Sequence, residues 1–221
     1  SKLEWRVPVG DTAVSAVYES ASSGVDRAVF VCAHGAGGSM ADRSVAATAK
    51  AMCARGLGVV RFNFLYREKK RGRPDQMPVL QETMAAVIAH TRAQLAPARL
   101  VIGGRSMGGR AASMLAAAGF AADGLLLLAY PLHPPGKPEQ LRDAHLSNIT
   151  MPVLCFCGTR DPFVTRDIMT RVIARVSAPW EMHWVEGADH SFHVLKSSGL
   201  TDAAVMEQIA DTSRHWVDHT L

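Results

Sequence analysis

Short apolar runs alternate with segments of helical periodicity along most of this chain. Residues 28–33 and 124–130 are almost wholly apolar, which is typical of strands buried on both faces of a parallel sheet. Residues 42–55 and 79–95 instead repeat apolar side chains at helical spacing. We also expect a helix over residues 163–176 and one long basic loop over residues 63–78. After an opening hairpin within residues 5–18, this alternation predicts an α/β fold with a mostly parallel, doubly wound sheet and helices on both faces.

The length of the chain bounds its domain organisation. Its 221 residues fall within the range of one α/β domain, and we expect residues 1–221 to form a single domain. Residues 131–149 contain four prolines and are expected to be irregular. This segment is too short for a cap domain, so we expect at most a small lid there.

The composition gives no sign of a membrane or nucleic-acid partner. The net charge is only +4, and no uninterrupted apolar stretch reaches the length that a membrane helix needs. The first residues lack the apolar core of a signal peptide. We therefore expect a cytoplasmic protein whose partner is a small molecule.

The four cysteines show neither a CxxC pair nor the spacing of a metal site. Three of them lie inside apolar runs, where a free cysteine behaves as a small buried hydrophobe. Such usage fits a reducing compartment. We expect no metal and no cofactor.

A glycine-rich stretch at residues 103–110 contains the pattern G-x-S-x-G around Ser106. An aliphatic run leads into it and a small-residue helical pattern leads out, which is the strand–turn–helix context of a nucleophile elbow. Gly104 and Gly108 are expected where the strand and helix approach too closely for a Cβ atom. The sequence therefore predicts Ser106 as a nucleophile; the alternative is a serine that caps the helix.

A serine nucleophile needs a base within hydrogen-bond reach and a group that orients this base. Asp161 and His190 each follow a predicted strand, and the chain order Ser, Asp, His is that of α/β-hydrolases. Asp161 could instead cap the next helix. Asp189 is an alternative acid and His193 an alternative base. We predict a catalytic triad of Ser106, Asp161 and His190.

Backbone N–H groups must also stabilise the oxyanion of the reaction. We predict that Met107 supplies one of them and Ala36, in the turn 34–38, the other. His34 is more readily explained as a residue that shapes this turn than as a base. Residues predicted as possible pocket lining are His34, Gly37, His133 and Arg105.

The basic segment 66–73 is the other conspicuous feature of the sequence. It could form an anion site or select acidic substrates. The simpler interpretation, which we favour, is a solvated loop near the rim of the active site. It lacks the interleaved aromatic residues that stack nucleic-acid bases.

The elbow, the turn 158–163 and the Asp189–His190 loop resemble the α/β-hydrolase superfamily, on its dienelactone-hydrolase-like side with little or no cap. More narrowly, residues 61–64, the basic loop and the string 130–138 resemble bacterial hydrolases related to testis-expressed protein 30. The resemblance spans about residues 28–217. It implies the α/β-hydrolase fold and an intact triad, and little about the substrate.

These features predict a serine hydrolase, in the first place a carboxylesterase that acts on small acyl esters. Acyl transfer, or cleavage of a thioester, amide or lactone, by the same triad remains an alternative. So does a non-catalytic binding module on a hydrolase scaffold. The sequence leaves the acyl group, the leaving group and the oligomeric state open.

Overall fold

One eight-stranded sheet organises the computed structural model, which describes residues 1–221. Its strands are β1 (Lys2–Val9), β2 (Thr12–Glu19), β3 (Ala28–Ala33), β4 (Leu57–Phe62), β5 (Leu100–Arg105), β6 (Gly124–Leu128), β7 (Val153–Gly158) and β8 (Trp180–Val185). They lie side by side in the order β1-β2-β4-β3-β5-β6-β7-β8. The β1–β2 and β2–β4 pairs are antiparallel and every other neighbouring pair is parallel.

Six α-helices connect or flank these strands. They are α1 (Arg43–Cys53), α2 (Leu65–Glu68), α3 (Met77–Leu95), α4 (Met107–Ala117), α5 (Arg166–Ile173) and α6 (Asp202–Thr220). Two short 3₁₀ helices lie at Leu146–Asn148 and Lys196–Ser198. None of the helices combines the length and the apolar character that crossing a membrane requires.

The central strands are apolar on both faces because helices cover both. Val29 and Val31 of β3 belong to a core that includes side chains of α3, α4 and α5. Phe30 and Cys32, which alternate with them, belong to a second core with α1 and α6. All four cysteines are buried and unpaired, as expected of small core residues. The predicted α/β fold with helices on both faces is confirmed.

Two connections differ from the sequence prediction. Residues 63–78 were expected to form one long loop, but they contain α2 and the first residues of α3. The buried Tyr66 ring fixes this short helix against His34, and a single turn is too short for periodicity to reveal. The helix expected at 163–176 is limited to Arg166–Ile173, because residues 161–164 form a hydrogen-bonded turn.

Candidate active site

Ser106 lies in a sharp turn between the end of β5 and the start of α4. Its backbone has φ 47° and ψ −117°, a conformation that side-chain-bearing residues rarely adopt. A Cβ atom on Gly104 would come within 2.3 Å of the Ala33 carbonyl oxygen, and one on Gly108 within 2.5 Å of the His34 carbonyl oxygen. These two glycines permit the close approach that the sequence predicted, and the turn holds the Ser106 hydroxyl at the carboxyl edge of the sheet.

The structure brings the three predicted catalytic side chains together. The Ser106 hydroxyl lies 2.8 Å from Nε2 of His190, whose Nδ1 lies 2.7 Å from Oδ2 of Asp161. With the proton on Nδ1, the imidazole donates to the carboxylate and accepts from the serine. The Asp161 carboxylate is buried, and its Oδ1 accepts a hydrogen bond from the Phe163 N–H at 2.8 Å.

The Phe163 ring supports the imidazole from one side. It stacks on His190 with 4.2 Å between the ring centroids and an angle of 27° between the planes. On another side, Nη2 of Arg105 donates to the His190 carbonyl oxygen at 3.3 Å. The Arg105 guanidinium also lies over the Phe192 ring, 5.9 Å from its centroid. Arg105 therefore fixes the loop that carries His190.

The alternative acid and base have other partners. Oδ1 of Asp189 accepts hydrogen bonds from the N–H groups of Ser191 and His193, so its carboxylate closes the loop on itself. Nδ1 of His193 lies 2.8 Å from an Asp202 carboxylate oxygen in an exposed pair, and this contact raises the pKa of His193. Neither residue contacts Ser106.

A second serine–histidine contact is buried away from the elbow. Ser113 Oγ lies 2.7 Å from Nε2 of His145, and Ser113 is fully buried. No carboxylate hydrogen-bonds to His145. Burial and the neighbouring Arg110 lower the pKa of His145 to about 4, so the imidazole is neutral near pH 7. This contact ties α4 to the irregular segment 131–149.

The backbone N–H groups of Ala36 and Met107 are among those at the cavity that have no acceptor within the chain. The turn that carries Ala36 is held in shape by its neighbours. The Tyr66 hydroxyl donates to the Ala36 carbonyl oxygen at 2.6 Å, and the His34 ring accepts from the Phe64 N–H at 3.1 Å. Nδ1 of His34 lies 2.7 Å from the Gly35 carbonyl oxygen, and burial lowers the pKa of His34. A neutral His34 thus shapes the turn.

A cavity of about 520 Å³ opens above Ser106 and His190. Gly37 and Arg105 line it, as predicted. His34 and His133 do not, because both are buried behind its wall. The His133 imidazole hydrogen-bonds to the Pro134 carbonyl oxygen and to the Thr165 hydroxyl, each at 2.8 Å.

Other lining residues had not been singled out as such from the sequence. They include Asp42, Arg110, Arg142 and Phe163. Arg110 follows Ser106 by one helical turn, so its position could have been inferred from spacing. Nothing in the local sequence marks Arg142, which lies in an irregular segment. The chain contains no group of three or more His, Cys, Asp or Glu side chains arranged to hold a metal ion.

Comparisons with known proteins agree with this fold. A family model described as an alpha/beta hydrolase domain matches residues 26–218. An alpha-beta serine hydrolase homologue from Coxiella burnetii has a similar structure, with 20% identity, 96% of each chain covered and a TM-score of 0.77. A serine hydrolase without lid from Xanthomonas campestris gives 21% identity, 100% of this chain and 97% of that chain covered, and a TM-score of 0.79. Dienelactone hydrolase from Anabaena variabilis has 17% identity to this chain and a TM-score of 0.77, with 100% of this chain and 98% of that chain covered.

Proposed function

Because this chain belongs to the alpha/beta hydrolase domain family, we propose that it is a serine hydrolase that cleaves carboxylic esters with Ser106, His190 and Asp161. The observation that carries this proposal is the pair of hydrogen bonds that joins Asp161 to His190 and His190 to Ser106. The dienelactone-hydrolase-like resemblance of the sequence fits the same family, whereas the relation to testis-expressed protein 30 stays a prediction.

The geometry suggests how the first half of the reaction proceeds. His190 Nε2 takes the proton of Ser106 as Oγ attacks the ester carbonyl carbon. Asp161 keeps the imidazole in the required orientation and stabilises its charged form. The free N–H groups of Ala36 and Met107 would receive the oxyanion, and the N-terminus of α4 adds a favourable dipole. His190 then returns the proton to the leaving alcohol, which leaves an acyl group on Ser106.

Water completes the cycle. His190 removes a proton from a water molecule, whose oxygen attacks the acyl carbon, and the collapsing intermediate releases the acid and restores Ser106. The cavity of about 520 Å³ has room for small acyl esters, and segment 131–149 forms no separate cap over it. Thioesters and amides present a similar carbonyl group to the nucleophile, and a comparison of their hydrolysis rates with those of esters identifies the preferred substrate class.

The test compares wild type with Ser106→Ala on short-chain p-nitrophenyl esters. Loss of the nucleophile is expected to lower kcat by about 10³-fold or more. Ser113→Ala is the matched control, because it removes a serine hydroxyl from α4, the helix that follows Ser106, without touching the cavity. We expect this control to retain wild-type activity within about tenfold, because Ser113 hydrogen-bonds to the Arg110 carbonyl oxygen and to His145, and each neutral hydrogen bond has a modest free energy.

A fluorophosphonate probe provides an independent readout. The wild type and Ser113→Ala should be labelled, and Ser106→Ala should not. Activity that survives in Ser106→Ala, or that disappears in folded Ser113→Ala, would contradict the assignment of the nucleophile. A wild type that neither hydrolyses esters nor reacts with the probe would favour a binding module on this scaffold.

A further inference from the structure

The active-site cavity carries an excess of positive charge. Its lining includes three arginines, and Asp42 is its single carboxylate residue; the arginines are Arg105, Arg110 and Arg142. None of the three takes part in any ion pair of the chain. Other arginines do have carboxylate partners, as Arg27 has in Asp218. The cavity thus concentrates cations that the protein itself does not neutralise.

Arg105 already has a structural role, because it holds the backbone of the His190 loop. Arg110 and Arg142 differ from it. Arg110 begins one helical turn after Ser106, and its backbone N–H donates to the Ser106 carbonyl oxygen at 3.0 Å. Its Nε is buried and has no hydrogen-bond partner. The Nε atoms of Arg61 and Arg67 are also buried without a partner, and Arg110 differs from these two arginines because its side chain lines the cavity beside Ser106.

Arg142 also lines the cavity, and its backbone is held in place by two hydrogen bonds. Its N–H donates to the Leu132 carbonyl oxygen at 2.8 Å, and its own carbonyl accepts from the Tyr130 hydroxyl at 2.6 Å. One guanidinium nitrogen donates to the Pro131 carbonyl oxygen at 3.3 Å, which leaves its other donors unused within the chain. Burial and the proximity of Arg110 lower the pKa of Arg142, so two like charges face one space.

We propose that Arg110 and Arg142 bind an anionic group of the substrate, so that the natural ester carries a carboxylate or a phosphate group in addition to the bond that is cleaved. Guanidinium groups match both oxyanions, since their planar N–H donors meet two oxygen atoms at once. An anion between the arginines satisfies the free donors and relieves the repulsion between them. The inference rests on the proposed function, because both arginines line the cavity of Ser106.

Matched esters test this substrate class by kcat/KM. On the acyl side, p-nitrophenyl hexanoate is compared with the mono-p-nitrophenyl ester of adipic acid, which has the same chain length and ends in a carboxylate. On the alcohol side, phenyl acetate is compared with 4-acetoxybenzoate and 4-acetoxyphenyl phosphate. We expect the wild type to prefer at least one anionic ester over its neutral counterpart by about tenfold or more, the size usual for hydrogen bonds to charged groups.

Arg110→Gln and Arg142→Gln should each reduce that preference by about ten- to a hundredfold, measured as the ratio of kcat/KM for the anionic ester to kcat/KM for its neutral counterpart, so that any effect common to both esters cancels. Arg171→Gln is the control, because Arg171 is exposed on α5 and makes no ion pair or side-chain hydrogen bond. The ester whose kcat/KM falls in these variants shows whether the anion belongs to the acyl or the alcohol side of the substrate, and whether it is a carboxylate or a phosphate. Equal rates for neutral and anionic esters, or a preference that survives in the double variant, would overturn the proposal.

Binding to folded Ser106→Ala separates this inference from the proposed function. Calorimetry with adipate, 4-hydroxybenzoate and phenyl phosphate measures the anion site without any chemistry. At least one of these anions should bind, and the same anion should bind at least tenfold more weakly when Arg110 or Arg142 is also changed to Gln. If none of the three anions binds, the anion site is refuted, even when the wild type hydrolyses esters. If an anion binds but the wild type hydrolyses no ester, the proposed reaction is refuted and the anion site is not.

Discussion

The backbone at Ser106 makes a prediction about stability that is independent of any substrate. At φ 47° and ψ −117°, a residue with a Cβ atom is strained, by about 1–3 kcal/mol for such conformations. Ser106→Ala keeps the Cβ atom and the strain, whereas Ser106→Gly removes both. Both variants lose the hydrogen bond to His190, so that loss cancels when the two are compared.

The expected difference follows from two opposing terms. Relief of strain favours the glycine variant by about 1–3 kcal/mol, and the greater backbone entropy of its unfolded chain opposes it by about 0.5–1 kcal/mol. Ser106→Gly should therefore be more stable than Ser106→Ala by up to about 2.5 kcal/mol. For a chain of this size, each kcal/mol corresponds to about 2–4 °C in Tm, so the expected gap is up to about 10 °C.

Urea denaturation and thermal unfolding of both variants provide the measurement. Ser113→Ala and Ser113→Gly form the control pair, because Ser113 lies inside α4 with ordinary helical geometry. There the alanine variant should be the more stable one, by about 1 kcal/mol. The reasoning would be refuted if glycine were destabilising relative to alanine at Ser106 as it is at Ser113.

Two further predictions concern the parts of the fold that frame the site. Burial opposes ionisation of the Glu68 carboxyl group, but hydrogen bonds from the side chains of Asn63, Arg6 and Ser15 lower its pKa to about 2. Because the folded-state pKa is depressed, this stabilisation is complete above about pH 4.5 and is lost as the pH falls towards 2. Between pH 4.5 and pH 2, the urea midpoint of Glu68→Gln should therefore fall less steeply with decreasing pH than the urea midpoint of the wild type. Gly108→Ala places a Cβ atom 2.5 Å from a backbone oxygen, so it should cost about 1–3 kcal/mol of stability and lower activity, whereas Gly72→Ala, which has open space, should do neither. Equal Tm values for Gly108→Ala and Gly72→Ala would contradict the interpretation that a Cβ atom at position 108 clashes with the backbone.

The central strands could be predicted from the sequence because their apolar runs are bounded by turns and buried on both faces. β3 has the predicted limits. Short helices were harder to predict, since a single turn such as α2 carries no measurable periodicity. α5 begins later than expected because Oδ1 of Asp161 accepts from the Phe163 N–H and so forms a turn where a helix start was expected.

The candidate catalytic residues could be chosen from the order of turns along the chain, whereas only part of the cavity wall could. His133 was placed at the pocket because it lies in the segment 131–149, yet it hydrogen-bonds to Thr165, which is 32 positions away. Arg142 reaches the wall because the Tyr130 hydroxyl binds its carbonyl group. Such contacts depend on how side chains pack after folding, and local patterns do not encode them.

The sheet order explains why the loop that carries His190 has so little freedom. β8 lies three strands from β5, a separation of about 14 Å at the usual strand spacing. The five residues 186–190 span at most about 17 Å when fully extended, and they begin with a turn in which the Ala188 N–H donates to the Val185 carbonyl oxygen at 3.2 Å, so the loop has to stay close to the ends of the intervening strands. It passes so close to β7 that a Cβ atom on Gly158 would lie 2.1 Å from the Ala188 carbonyl oxygen. The same loop is tied down by the Arg160 N–H, which donates to the Ala188 carbonyl oxygen at 2.9 Å, and by Arg105 at His190. The imidazole therefore reaches Ser106 by a path that only a glycine at the end of β7 leaves open.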